Sequence, residues 1–145
     1  SYRMELAMSA RVEVYWNLHK DTYSVRALSG PERGRVVDHS RVVNLRDVKF
    51  AVQPAGRKKV LKEKVKNVHA FVRGKRFKWN EVGPETTFKT FEELLKDKDW
   101  VEVTYNPYKF ESFVTRDLLK PVYEAKEVRM FVHCGRAKMF VNLKE

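Results

Sequence analysis

From Val12 to Leu18 apolar and polar positions alternate, with Val12, Val14, Trp16 and Leu18 on one side and Glu13, Tyr15 and Asn17 on the other. A period of two predicts a half-buried strand. Tyr23, Val25 and Ala27 give a second strand, Gly30 to Gly34 a loop by composition, and Arg35 to Asp38 a short third strand. Val43 and Leu45 then set one phase, and Val48, Phe50 and Val52 the opposite one. A phase flip inside an extended run requires a turn or bulge, which places one at Arg46-Asp47.

Pro54 marks a helix start, because its fixed φ suits the first turn. Over residues 55–66 the stripe Leu61, Val65 and Val68 recurs at helical spacing, while Arg57, Lys58, Lys59, Lys62, Lys64 and Lys66 take the other faces. Leu61 and Val65 are therefore expected to be buried, and Lys58, Lys62 and Lys66 exposed. So many like charges repel one another, so packing of the stripe must hold this helix. From Asn67 the period returns to two: Val68, Ala70 and Val72 oppose His69, Phe71 and Arg73, as in a strand.

Residues 80–100 form an excursion in which Gly83-Pro84 marks a loop and Thr90 with Glu93 a capping box for a short helix. Val101, Val103 and Tyr105 make a strand ended by Asn106-Pro107. Val128, Met130 and Val132, then Met139, Val141 and Leu143, flank Cys134-Gly135, the pattern of a hairpin. Residues 1–7 are set aside as an appended remnant, and 8–145 are expected to form a single domain. Strands joined by short turns imply antiparallel pairing, so the expected class is α+β: a curled or barrel-like sheet of about seven strands, one basic helix and one short inserted helix.

Composition sharpens this. The chain of 145 residues, 43% hydrophobic, is neither disordered nor long in apolar runs, so no membrane span is expected. The single cysteine, Cys134, excludes an internal disulfide framework and fits a reducing compartment. Net charge is +11, and it is concentrated: residues 55–80 hold 10 basic residues against Glu63 alone, while residues 81–145 hold 11 basic and 12 acidic. A basic run of this kind points to a polyanionic partner.

The leading expectation is a non-enzymatic nucleic-acid-binding protein, for DNA or RNA. Its phosphate contacts would come from Arg57, Lys58, Lys59, Lys62, Lys66, Arg73, Lys75, Arg76 and Lys78, with Phe71 and Trp79 stacking on bases. A second class is a small metal-independent nuclease using His69 as general base beside Lys64 and Tyr105. A third is an interaction module docking on a host or phage protein. The four histidines have no metal-ligand spacing, and no phosphate-binding glycine loop or dinucleotide fingerprint is present, so no cofactor is expected. Cys134 beside His133 reads as a turn residue, since neighbours on a strand point to opposite faces. Asp21, Asp38 and Asp47 read as solvated turn residues rather than a two-metal site.

Four stretches carry a resemblance: Val14-Tyr15-Trp16-Asn17-Leu18-His19-Lys20, residues 55–64, residues 67–74, and Tyr105-Asn106-Pro107-Tyr108-Lys109. They resemble small uncharacterised proteins encoded by tailed bacteriophages. The resemblance implies a setting in the bacterial host cytoplasm during infection, and it implies no activity.

Overall fold

The computed structural model describes residues 10–83, 85–96 and 99–143, so the expectation for residues 1–7 lies outside the described residues. The elements are β1 (Arg11–Asn17), β2 (Thr22–Ala27), β3 (Val36–Ser40), β4 (Val42–Val52), α1 (Pro54–Glu63), β5 (Ala70–Arg76), α2 (Phe88–Leu94), β6 (Trp100–Thr104), β7 (Val114–Thr115), β8 (Glu124–His133) and β9 (Arg136–Asn142). The strands pair antiparallel in the order β3-β2-β1-β5-β4-β8-β9-β6-β7. The α+β class holds, with two corrections: among the described residues the sheet has nine strands rather than about seven, and it is open rather than a barrel. Among the described residues no ladder joins the edge strands β3 and β7.

The sheet curls nonetheless. The Tyr23 hydroxyl on β2 donates to the Lys138 carbonyl on β9 at 2.9 Å, although five strand-to-strand steps separate the two in the sheet. Inside the curl lies the main core, built from the inward phase of most strands: Val12, Val14, Tyr23, Val25, Leu45, Val48, Val72, Val128, Met130 and Val141. A cavity of about 170 Å³ remains there, lined in part by Trp16, Tyr23, Tyr105 and Phe113. A second cluster lies on the outer face, where α2 sets Phe91 and Leu95 against Phe131, with Phe88, Trp79 and Phe140 around them. The excursion is thus the cover of the outer face of β8 and β9.

Local chemistry explains two features that the alternation marks. The register of β4 against β5 shifts between Arg46 and Lys49, and Asp47 has φ 53, so the phase flip is a bulge. At the β8–β9 hairpin Cys134 (φ 51) and Gly135 (φ 70) both take the positive φ that a tight two-residue turn requires.

The helix faces need correction. Val60 is the buried residue of α1, Leu61 is only half-buried, and Val65 is 42% exposed. The cause is an early stop. Lys64 turns left-handed (φ 58) and its N–H returns to the Val60 carbonyl, so Val65 and Val68 never share a helical face with Leu61. Lys58, Lys62 and Lys66 are exposed as expected. What seats α1 is Gly56: a Cβ there would lie 2.6 Å from His69 Cβ, so only glycine admits this approach. In α2 the N-cap is Thr87, whose Oγ1 accepts from the Thr90 N–H at 3.3 Å; Thr90 itself is inside the helix, so the expected capping box stands one turn too late. No helix among the described residues is long and apolar enough to cross a membrane.

Candidate nucleic-acid interface

The loop-and-helix connection between β4 and β5 projects a dense set of cations. Lys58, Lys59, Lys62, Lys64 and Lys66 are all exposed. Among the described residues none of the five has a carboxylate partner; Lys64 Nζ sits 5.2 Å over the Tyr108 ring. Arg57 differs, because its Nε donates to the Pro107 carbonyl at 3.0 Å and ties α1 to the turn after β6.

Along β5 the basic residues behave otherwise. Arg73 Nε lies 2.7 Å from Glu13 Oε2, and Arg26 Nη1 lies 3.2 Å from Glu13 Oε1, so one buried carboxylate holds two guanidinium groups. Arg76 is 5% exposed and its Nη1 lies 2.7 Å from Asp38 Oδ2. Lys75 and Lys78 are exposed, and Lys75 is paired in register with Arg11 on β1 and Arg46 on β4. The seven residues of β5 span about 20 Å at about 3.3 Å each. The basic segment is therefore two patches at opposite ends of a strand whose middle is neutralised.

Phe71 is taken up by packing, and Trp79 in part. Phe71 is 4% exposed and meets Tyr15 edge-on at 6.3 Å. Trp79 is half-buried, 5.8 Å from Phe91, and the Arg129 guanidinium lies 4.2 Å from its ring. Phe71 as it stands has no free face for a base.

His69 and Tyr105 do come together, with His69 Nε2 2.7 Å from the Tyr105 hydroxyl. Nδ1 lies 2.8 Å from the Asn67 carbonyl, which can only accept, so Nδ1 carries the proton and Nε2 accepts from the phenol. Both ring nitrogens are engaged and the residue is 6% exposed, an arrangement that anchors the turn at 67–69 to β6. Burial pushes the Tyr105 phenol above its ordinary value, and the nearby Arg57 charge opposes that. Lys64 makes no hydrogen bond to this pair.

Cys134 is the turn residue, with φ 51, and its Sγ lies 3.7 Å from His133 Nε2. Among the described residues no three His, Cys, Asp or Glu side chains converge as a metal site requires.

Two features had no sequence signal. Arg129 is half-buried: its Nη2 donates to Glu127 at 3.0 Å, and its Nε and Nη1 have no acceptor among the described residues. It lies instead over the rings of Trp79, Phe77 and Trp100, and burial holds its pKa below the usual arginine value while Glu127 opposes the shift. Asn44, buried on β4, has an Oδ1 without a hydrogen-bond partner among the described residues. Both depend on neighbours distant in sequence.

These features define a small basic α+β protein with an open, curled antiparallel sheet and an exposed lysine-rich helix at one end. The chain belongs to the family of the Mycobacterium phage L5 gene 82 protein, whose family model matches residues 5–137. It is similar to the gene 82 protein of Mycobacterium phage L5 itself, 36% identical over 126 residues that cover 81% of this chain and 87% of the relative. The resemblance to phage-encoded proteins is thus shown. No solved structure matches.

Proposed function

We propose that this protein binds nucleic acid in the phage-infected bacterial cell, through phosphate contacts made by α1 and the residues that leave it. One observation carries the reading. Lys58, Lys59, Lys62, Lys64 and Lys66 stand exposed within nine residues with no carboxylate partner among the described residues, whereas Arg26, Arg73, Arg76 and Arg129 are each held by a Glu or Asp. Lys58 and Lys62 are one helical turn apart, a like-charge spacing that destabilises an isolated helix. A polyanion relieves that repulsion, and each lysine that neutralises a phosphate releases counterions condensed on the nucleic acid.

The reading is electrostatic and non-enzymatic, and at α1 it involves no base stacking. The test is a titration against single- and double-stranded DNA and RNA at several salt concentrations, with gels run for cleavage. The slope of log K against log salt is expected to fall by about 0.9 per neutralised duplex phosphate, or about 0.7 for a single strand. Replacing Lys58, Lys62 and Lys66 together by Ala is expected to weaken binding to every sequence and to flatten the slope by roughly one unit per lost contact. Lys96→Ala, in the near-neutral part of the chain, is the control and is expected to change neither. Absence of binding by the wild-type protein at low salt overturns the proposal.

A further inference from the structure

At the end of β5 remote from α1, the strands β3 and β4 and the segment following β5 enclose a recess of about 460 Å³, within the range of small-molecule sites. Its lining combines three chemistries. Arg41 and Lys78 are exposed at it, and the buried Arg76 reaches it while paired with Asp38, so cations outnumber carboxylates. Trp79 supplies an aromatic surface. Asn44 contributes a buried carboxamide, 5% exposed, whose Oδ1 has no hydrogen-bond partner among the described residues. A buried acceptor left without a donor is costly in a folded protein, and the Asn44 carboxamide, which lines the recess, would gain a donor by turning toward a ligand that brings an N–H.

We propose that this recess binds a nucleotide, with the base against Trp79 and the Asn44 amide and the phosphate toward Arg41 and Lys78. A carboxamide pairs with an adjacent donor and acceptor on a base edge, and adenine presents that edge most directly. The guanidinium and ammonium groups suit the phosphate. The site goes beyond the α1 reading and shares none of its lysines, so either can fail alone. The nucleotide has two sources of the same chemistry, free in solution or within a single strand.

The experiment is calorimetric titration of the full chain with AMP, adenosine, inorganic phosphate and N6,N6-dimethyl-AMP, with a single-stranded oligodeoxyadenylate as competitor. AMP is expected to saturate one site. Adenosine, phosphate and the dimethylated nucleotide are each expected to bind at least tenfold more weakly, since each lacks one of the recognised groups. Asn44→Leu is expected to lose AMP affinity tenfold or more while its thermal midpoint holds or rises, because an unpartnered buried amide has been removed; a purely structural asparagine would lower the midpoint instead. Should that variant fail to fold, the surface double variant Arg41→Ala/Lys78→Ala replaces it, with AMP affinity falling and adenosine affinity unchanged. The α1 triple lysine variant is expected to bind AMP as the wild type does. Competition by the oligonucleotide supports a nucleotide held within a strand, and AMP binding without competition supports a free nucleotide. No AMP binding at millimolar concentration, equal binding of AMP and phosphate, or undiminished binding by Asn44→Leu overturns the proposal.

Discussion

The Tyr105 hydroxyl donates to His69 Nε2 at 2.7 Å, joining the residue just before β5 to the residue just after β6. Gln53 N–H reaches the His69 carbonyl at 2.7 Å and Asn67 Nδ2 reaches the Gly56 carbonyl at 3.4 Å, so the base of α1 rests on the same turn. Tyr105→Phe leaves an imidazole acceptor unmatched in a buried site and is expected to cost about 1–3 kcal/mol in urea unfolding. Because α1 docks there, the variant should also speed amide exchange over residues 55–63. An unchanged unfolding midpoint would show that the pair carries no load.

That pair was legible in the sequence as two candidate residues, but only as a guess about their proximity. The strands were legible for a plain reason: the curl buries one face, so Val12, Val14, Val128, Met130 and Val141 alternate with residues of the outer face, and a period of two survives. The bulge at Arg46-Asp47 showed as a broken phase. The face of α1 did not show, because ten residues docked through Val60 and Gly56 leave no stripe, and the apparent one continued past a left-handed Lys64. The basic run also read as continuous. Nothing local marks Arg73 and Arg76 as paired, since Glu13 and Asp38 lie 60 and 38 residues away. The burial of Phe71 has the same origin: Tyr15 and Arg73 cover it on a face that Lys75 leaves open to solvent, and alternation cannot tell a covered position from a stacking surface.

Alkaline stability gives a second prediction. Tyr23 is 1% exposed, and burial drives its phenol far above the ordinary value near 10. Its contribution is full below the unfolded-state pKa and is lost as pH rises through that value toward the folded one, because the unfolded chain releases the proton first. Stability is expected to fall above pH ~10 with a slope of up to about 1.4 kcal/mol per pH unit from this group. Tyr23→Phe should remove that slope and, by losing the bond to Lys138, cost roughly 0.5–1.5 kcal/mol at neutral pH. Urea midpoints measured from pH 8 to 11.5 decide it.

The Arg76–Asp38 pair is unequal, with side chains 4% and 31% exposed. Removing Asp38 strands a buried guanidinium, whereas removing Arg76 strands a carboxylate that water can reach. Asp38→Ala is therefore expected to destabilise more than Arg76→Met, with the latter costing about 1–3 kcal/mol. A double-mutant cycle should return a coupling of about 0.5–3 kcal/mol. The reverse order of the two single variants would mean that the guanidinium is satisfied elsewhere.

The bulge in β4 poses a question of cause: whether Asp47, with its positive φ, or Gly74 across the ladder fixes it. Gly74 is the residue with no room. A Cβ there would meet the Arg46 carbonyl oxygen at 2.7 Å, Leu45 Cβ at 3.2 Å and Val48 Cγ2 at 3.3 Å. The nearest atom is backbone, so relief requires opening the β4–β5 ladder rather than rotating a side chain. Asp47 is exposed, and its left-handed φ of 53 is one that aspartate tolerates. Gly74→Ala is expected to cost about 1–3 kcal/mol or more by overpacking. Asp47→Gly should stay within about 1 kcal/mol of wild type, since relief of the φ strain is offset by a more flexible unfolded chain. Urea unfolding of both variants, with amide exchange at Lys49 and Lys75 as the local reporter, separates the two causes. A large loss in Asp47→Gly with a neutral Gly74→Ala would assign the bulge to the turn residue; the opposite result assigns it to the space that only glycine leaves.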